Sequence, residues 1–176
     1  MRRAGSTATV GRRFTGLVLA AGLLLAGCGA QAAPPASDSP SPVPRAGLAA
    51  LAPCDLLTSV DRSTAGLTSL GKAKTIGTAR ACDWTETGLF GLTITLDDTT
   101  SLADLRTGKG KQLTVGRHQA FEAVDRSAGD GTCAVLLDAG RSASAQVDVS
   151  NANFRDTDLA CRRAETVAQL IEPKLP

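Results

Sequence analysis

The cysteines restrict the folds open to this chain more than any other residue type does. Four of them, Cys54, Cys82, Cys133 and Cys161, form an even set in which the first two and the last two are equally far apart in sequence. Four cysteines allow three disulfide pairings, and sequence alone does not choose among them. The equal separations, each joining neighbouring segments, favour the pairs Cys54–Cys82 and Cys133–Cys161. Disulfides persist in oxidising compartments, so this prediction requires that the chain be exported.

The amino-terminal segment has the layout of an export signal. Two arginine pairs and no acidic residue precede an apolar run over residues 14–25. This run is about a dozen residues long, whereas a membrane-spanning helix needs about 20, and it ends in small residues as signal peptides do. We therefore predict a signal peptide over residues 1–27. General secretion is the default route, and twin-arginine export is the alternative because Phe14 directly follows Arg12 and Arg13.

The end of this segment, Leu25-Ala26-Gly27-Cys28, resembles the lipobox of bacterial lipoproteins. In such signals the cysteine thiol receives a diacylglyceryl group and the chain is then cut before that cysteine. Cys28 is therefore the expected lipidation site, and the expected location is the extracytoplasmic face of the cell membrane. Two acyl chains give stable anchoring, whereas one chain binds a membrane only marginally. The alternative is an ordinary secretory signal that contains a chance cysteine.

The charge that remains after removal of the signal argues against a nucleic-acid partner. The chain has 19 basic and 17 acidic residues, and residues 1–27 contain four arginines and no acid, so 15 basic and 17 acidic residues remain. A protein that binds nucleic acid presents an excess of basic residues. The mature chain, at a net charge of about −2, has no such excess.

A tether is expected between the lipid and the folded part. Residues 28–46 contain the lipidated cysteine, five prolines and otherwise mainly alanine, serine and glutamine. A segment of this composition cannot bury a core, and its prolines favour extended conformations. Residues 47–176 number about 130, which is a common size for one domain. We predict a single globular domain over this range.

The hydrophobic pattern of that domain predicts an α+β fold. Strands are predicted over residues 81–85, 89–96, 117–124, 133–137 and 143–149, the last two as a hairpin. A helix is predicted over 158–172 with Thr157 as its N-cap. Thr58 and Asp61 form a variant of the capping box and predict a short helix that ends near Gly71. Two helices packed on a small antiparallel sheet, with two disulfides, make an α+β domain.

Five short motifs occur in a fixed order along the globular part. They are Pro-Cys-Asp-Leu-Leu-Thr at 53–58, Cys-Asp-Trp at 82–84, Cys133 at the start of a strand, Asp-Leu-Ala-Cys at 158–161 and Lys-Leu-Pro at 174–176. Together with the lipobox, they resemble a family of actinobacterial lipoproteins known only as a domain of unknown function, DUF3558. The resemblance implies a cell-envelope location and the same two cysteine pairs. It implies no particular activity.

The sequence shows no recognisable catalytic constellation. It contains neither the Gly-x-Ser-x-Gly elbow of serine hydrolases nor a phosphate-binding loop. Gly-Lys-Gly-Lys at 108–111 is interpreted as a flexible turn, and Asp97 with Asp98 as the turn that ends a strand. We therefore expect no catalytic residue and no cofactor.

A metal site is the alternative to the disulfides, and we do not expect one. Structural zinc sites usually supply two ligands within two to four residues of each other, and none of the four cysteines has such a neighbour. His118 is the single histidine of the chain, and we expect it to be a solvated or hydrogen-bonded structural residue. Trp84 is expected to pack on the first disulfide.

Two functional hypotheses remain. The first is a noncatalytic module, anchored through its lipid, that binds an envelope protein or another wall component. The second is a carrier of a small apolar or lipidic ligand, because several small side chains could leave a cavity between sheet and helix. These residues are Ala143, Ala145, Ala160, Ala164 and Ala168. Close helix-to-sheet packing is the favoured explanation of the same alanines.

Overall fold

The computed structural model describes residues 46–176. The predicted signal peptide, Cys28 and all but the last residue of the predicted tether lie outside the described residues. The strands are β1 (Lys72–Ile76), β2 (Ala79–Glu86), β3 (Phe90–Asp97), β4 (Gly110–Val115), β5 (His118–Ala123), β6 (Thr132–Asp138) and β7 (Ser144–Asn151). The α-helices are α1 (Ser59–Thr64), α2 (Leu102–Leu105) and α3 (Thr157–Ile171), and short 3₁₀ turns span Gly47–Ala50, Pro53–Leu56 and Glu172–Lys174.

All seven strands belong to one sheet with the order β1-β2-β3-β7-β6-β5-β4. Every neighbouring pair is antiparallel, and the two halves of the sheet meet where β3 pairs with β7, with Leu92 opposite Val149 and Ile94 opposite Val147. This architecture confirms the predicted α+β class. None of the helices formed by residues 46–176 is long and apolar enough to cross a membrane.

The sheet has one covered face and one open face. On the covered face, which we call the helix face, α3 packs against β6 and β7. Ala160, Ala164 and Ala168 of α3 have no exposed surface. The same is true of Ile94 on β3 and Val147 on β7. Successive residues of a strand point to opposite faces, so the polar residues between these apolar ones form the open face. Small side chains let the helix axis approach the sheet closely.

The amino-terminal part of the domain is attached to the sheet by packing and by a disulfide. The turn Pro53–Leu56 packs on β2 and β3, and Cys54 is bonded to Cys82. The predicted capping box is confirmed, because the amide of Asp61 donates to the Thr58 hydroxyl at 3.1 Å and the amide of Thr58 donates to the Asp61 carboxylate at 2.9 Å. The helix that follows buries none of its residues and ends at Thr64, well before the predicted end near Gly71.

The carboxy-terminal helix is pinned to the sheet by the second disulfide. Cys161 of α3 is bonded to Cys133 of β6, which confirms the predicted pair. The predicted N-cap, Thr157, is wrong. Asp156 caps the helix and accepts from the amide of Leu159 at 3.0 Å. The Thr157 hydroxyl is buried and accepts from the amide of Gly131 at 3.1 Å, so it fixes the loop before β6 instead.

The sequence analysis did not predict the two edge strands, β1 and β4. All five residues of β1 and most of β4 are exposed on both faces, so neither strand shows an alternation of apolar and polar residues. The turn predicted at 108–111 is wrong in its second half, because Gly110 and Lys111 begin β4. A Cβ on Gly110 would lie 2.6 Å from the ring of Phe121. The absence of a side chain at this position therefore lets β4 pair with β5.

Candidate functional site

A groove on the open face is the strongest candidate for a functional site. It has a volume of about 450 Å³, and residues of six of the seven strands line it, from Lys74 on β1 to Ala123 on β5. The strand register places Asp83, Thr93 and Asp148 in one row across β2, β3 and β7. Below, "the groove" refers to this concavity.

Small residues form the floor of the groove. Ala134 and Ala123 continue the row beyond Asp148, and Gly91 faces Ser150 one step nearer the start of β3. A Cβ built on Gly91 would meet no atom within 4 Å. The groove is therefore open directly above the main chain of a central strand, and a ligand there can approach the backbone closely.

One of the two carboxylates in the groove is neutralised by a cation. Asp83 receives the Lys74 ammonium at 2.6 Å on one oxygen and the Thr93 hydroxyl at 2.6 Å on the other. Both of its oxygens are thus occupied, and its charge has a direct partner. A further cation would therefore gain less at Asp83 than at a carboxylate without a charged partner.

The second carboxylate has no adjacent cation among the described residues. Asp148 accepts only from the amide nitrogen of Gln146, at 2.7 Å and 2.8 Å to its two oxygens. Burial raises the pKa of Asp148 above its usual value, while the Gln146 hydrogen bond and the more distant charge of Lys74 oppose the shift. A partly buried anion on a central strand, held by a neutral amide, has lone pairs available for a hydrogen-bond donor. Perturbed carboxyl groups in concave sites are candidates for function.

Hydroxyl groups lie around one end of the groove. Thr85, Thr132 and Ser150 line it there, beside the turn between β2 and β3 and the loop between β7 and α3. Each hydroxyl can donate and accept a hydrogen bond. The groove therefore offers one anion, several hydroxyls and a floor of small residues, which suits the binding of a polar or cationic group.

Two exposed apolar side chains lie at the same end of the molecule. Leu89 and Phe154 are 58% and 70% exposed, and the amide of Ala152 donates to the carbonyl of Leu89 at 2.9 Å. Leu89 lies two residues before Gly91, and Phe154 lies four residues after Ser150. The two loops are thus held together beside the groove, and we call this pair of side chains the apolar rim.

The residues singled out in the sequence do not lie in this groove as a ligand set. The Sγ atoms of Cys54, Cys82, Cys133 and Cys161 are all in disulfides and offer no thiolate to a metal. His118 is buried, with Nδ1 2.6 Å from the carbonyl oxygen of Asp138. This is the hydrogen-bonded structural role expected for it.

A cluster of charged residues on the helix face braces α3 against β5. Glu122 is fully buried and accepts from Arg126 at 2.9 Å, and Lys111 lies 3.4 Å from its second oxygen. The nearby Glu122 carboxyl and burial raise the pKa of Glu165 on α3. Buried charges in proteins are normally paired in this way, and the cluster has the composition of a structural network.

The sequence analysis did not identify the groove. Its only signal was the alternation that places Gln146, Asp148 and Ser150 on one face of β7 and Thr93 on the matching face of β3. That pattern marked the residues as the solvent side of a half-buried sheet. Their assembly into one concavity depends on the order of the strands, which places β3 next to β7 although β4, β5 and β6 lie between them in sequence.

Comparison with known proteins gives one match. A family model described as "Protein of unknown function (DUF3558)" matches residues 23–174. No curated protein and no solved structure matches the chain.

Proposed function

The chain belongs to this family, DUF3558, and we propose that it is a noncatalytic binding module anchored by lipid at Cys28 to the extracytoplasmic face of the cell membrane. The groove is its binding site. The observation that carries the proposal is Asp148, a partly buried carboxylate in a 450 Å³ concavity that, within residues 46–176, accepts hydrogen bonds from a neutral amide alone. Burying a carboxylate without a charged partner costs stability, and a ligand that supplies the opposite charge would offset that cost.

The disulfides support the proposed location. Two bridges in a domain of this size are typical of proteins that fold outside the reducing cytosol. The lipobox supplies a means of attachment there. The two disulfides tie neighbouring segments to the sheet, which helps to hold the side chains of the groove in fixed positions.

The proposed absence of catalysis rests on the chemistry of the groove. The polar side chains that line it are two carboxylates, four hydroxyls and one lysine. His118, the chain's single histidine, lies on the helix face and bonds to main chain. A serine nucleophile activated by histidine therefore has no counterpart in the groove.

The alternative from the sequence, a carrier of apolar ligands, receives no support from the alanines that suggested it. Ala160, Ala164 and Ala168 have no exposed surface and face the sheet. They serve close packing between α3 and the strands.

The anchor is tested by the mass and the location of the protein in its source cells. We expect the intact mass of membrane-extracted protein to begin at Cys28 and to include two or three acyl chains. We expect Cys28→Ala to release the protein from the membrane fraction. An unacylated mass, or a variant that stays in the membrane, would contradict the anchor.

The groove is tested by alanine-methyl NMR of the full chain in detergent micelles. Envelope extracts, separated into peptide, polysaccharide and lipid fractions, are added in turn. We expect one fraction to shift the methyl signals of Ala123 and Ala134 and to leave that of Ala128 unchanged. Gly91→Leu adds a large side chain in the groove at a position where a Cβ would meet no atom within 4 Å, and we expect it to abolish the shifts. Ala103→Leu, on the exposed surface of α2, is the matched control.

A further inference from the structure

We propose that the occupant of the groove is a segment of a partner protein that places a lysine or arginine side chain against Asp148 and covers the apolar rim with apolar side chains. This inference rests on the proposed binding function of the groove and adds the chemistry of the partner. It assigns Asp148 as the anion that recognises the basic side chain, and Leu89 and Phe154 as the adjoining contact surface.

The charge distribution in the groove determines the sign of the ligand. Lys74 is paired with Asp83 at 2.6 Å, and it is the one cation among residues 46–176 that lines the groove. In the same part of the chain, Asp148 accepts hydrogen bonds only from a neutral amide. An incoming ammonium or guanidinium would supply the missing charge, whereas an anionic ligand would bring two negative charges together at a partly buried site.

The floor of the groove leaves room for a long side chain. Gly91, Ala123 and Ala134 keep the space above the sheet free beside Asp148. The hydroxyls of Thr93 and Ser150 lie on the two neighbouring positions of the open face. A lysine or arginine side chain can thus lay its apolar stem on the small residues while its charged end reaches the carboxylate.

The apolar rim indicates a protein partner in preference to a small cation. Leu89 and Phe154 are mostly exposed, and one main-chain hydrogen bond joins their loops. Exposed apolar side chains beside a polar pocket are typical of protein interfaces, in which a buried charged anchor is surrounded by contacts that exclude water. A free amine would reach the groove and leave the rim uncovered.

The test compares the binding of three probes to the full chain in micelles. Binding is monitored through the methyl signals of Ala123 and Ala134. The probes are N-acetyl-Leu-Arg-amide, the citrulline analogue that keeps its shape without the charge, and agmatine, which has the guanidinium without the leucine. We expect the arginine dipeptide to bind about tenfold or more tightly than the citrulline dipeptide. Asp148→Asn should abolish that difference, and Asp55→Asn, at an exposed aspartate outside the groove, should preserve it.

The rim is tested by a second pair of variants. We expect Leu89→Ser to weaken binding of the arginine dipeptide and to leave agmatine binding unchanged. Val60→Ser, at a similarly exposed residue of α1, is the matched control and should change neither. If agmatine binds as tightly as the dipeptide and Leu89→Ser has no effect, the ligand is a small cation and not a protein segment. This result would overturn the inference.

The outcomes separate this inference from the proposed function. Equal binding of the arginine and citrulline dipeptides, or no response to either, refutes the basic anchor. If an envelope fraction still shifts the methyl signals of Ala123 and Ala134, and Gly91→Leu abolishes these shifts, the groove is a binding site for a ligand without a basic side chain. If neither probes nor fractions shift these signals, both proposals are wrong.

Discussion

Two glycines on the open face of the sheet give a sharp test of the groove's geometry. Gly91 on β3 and Gly110 on β4 both occupy strand positions, and neither has a positive φ. A Cβ on Gly91 would meet no atom within 4 Å. A Cβ on Gly110 would lie 2.2 Å from the carbonyl oxygen of Glu122 and 2.6 Å from the ring of Phe121. The same substitution, glycine to alanine, should therefore have opposite effects at the two positions.

The magnitudes follow from backbone entropy and from overpacking. Alanine stabilises a strand interior by about 0.5–1 kcal/mol relative to glycine, because glycine loses more conformational freedom on folding. Gly91→Ala should gain that amount and raise Tm by about 2–4 °C. Gly110→Ala receives the same entropic gain, but overpacking against main chain costs about 1–3 kcal/mol. We expect a net loss of stability for Gly110→Ala.

Trp84 provides the assay. It is the single tryptophan of the chain and is 2% exposed, so its fluorescence reports global unfolding in urea. The free energy of unfolding is obtained from the midpoint at constant slope. A Gly91→Ala variant less stable than wild type would show that this position is crowded, and the open groove would then be wrong. A neutral or stabilising Gly110→Ala would refute the close approach of β4 to β5.

Three further predictions concern the disulfide and the titrating carboxyls. Replacing Cys133 and Cys161 together by alanine should cost about 3.5 kcal/mol in urea unfolding, because the bridge closes a loop with a sequence separation of 28; a cost under about 1 kcal/mol would contradict the loop-entropy estimate. Hydrogen bonds from the side chains of Thr68 and Ser69 lower the pKa of Glu86 from 4.5 to about 2, so Glu86 stabilises the fold above pH 4.5 and this stabilisation is lost as the pH falls towards 2. Glu86→Gln should reduce the dependence of stability on pH in that window, and an unchanged acid unfolding curve would disprove the role. Burial raises the pKa of Asp148, so stability is lost as the pH rises from the ordinary aspartate pKa through the raised one; Asp148→Asn should raise the urea midpoint at pH 7, and a lowered midpoint would show that the carboxylate is structurally required.

The sequence predicted the parts of the fold that are buried on one face. Strands β3 and β7 alternate apolar and polar residues because one side of each is buried, β7 against α3 and β3 against the turn Pro53–Leu56. The apolar spacing of α3 follows from the same packing. Both disulfides agree with the equal separations of the cysteines, and each ties an amino- or carboxy-terminal segment to the sheet.

The parts that sequence could not predict depend on contacts between distant segments. β1 is exposed on both faces and gains its conformation by pairing with β2. Thr157 looked like the better helix cap, but its hydroxyl bonds to Gly131 in another loop, and Asp156 caps the helix with a positive φ. The groove requires β3 and β7 to be neighbours. A local pattern cannot specify that pairing.

A partner that occupies the groove of the membrane-anchored domain should lie within crosslinking distance of the side chains that line it. We would place a photo-crosslinking amino acid at Thr85, an exposed position of the groove, in the full chain in living source cells. We expect a discrete adduct from this position that is lost when Gly91→Leu is added, and no such adduct from Thr64 on α1. An adduct that persists when the groove is filled, or the absence of any adduct from Thr85, would contradict binding in the groove.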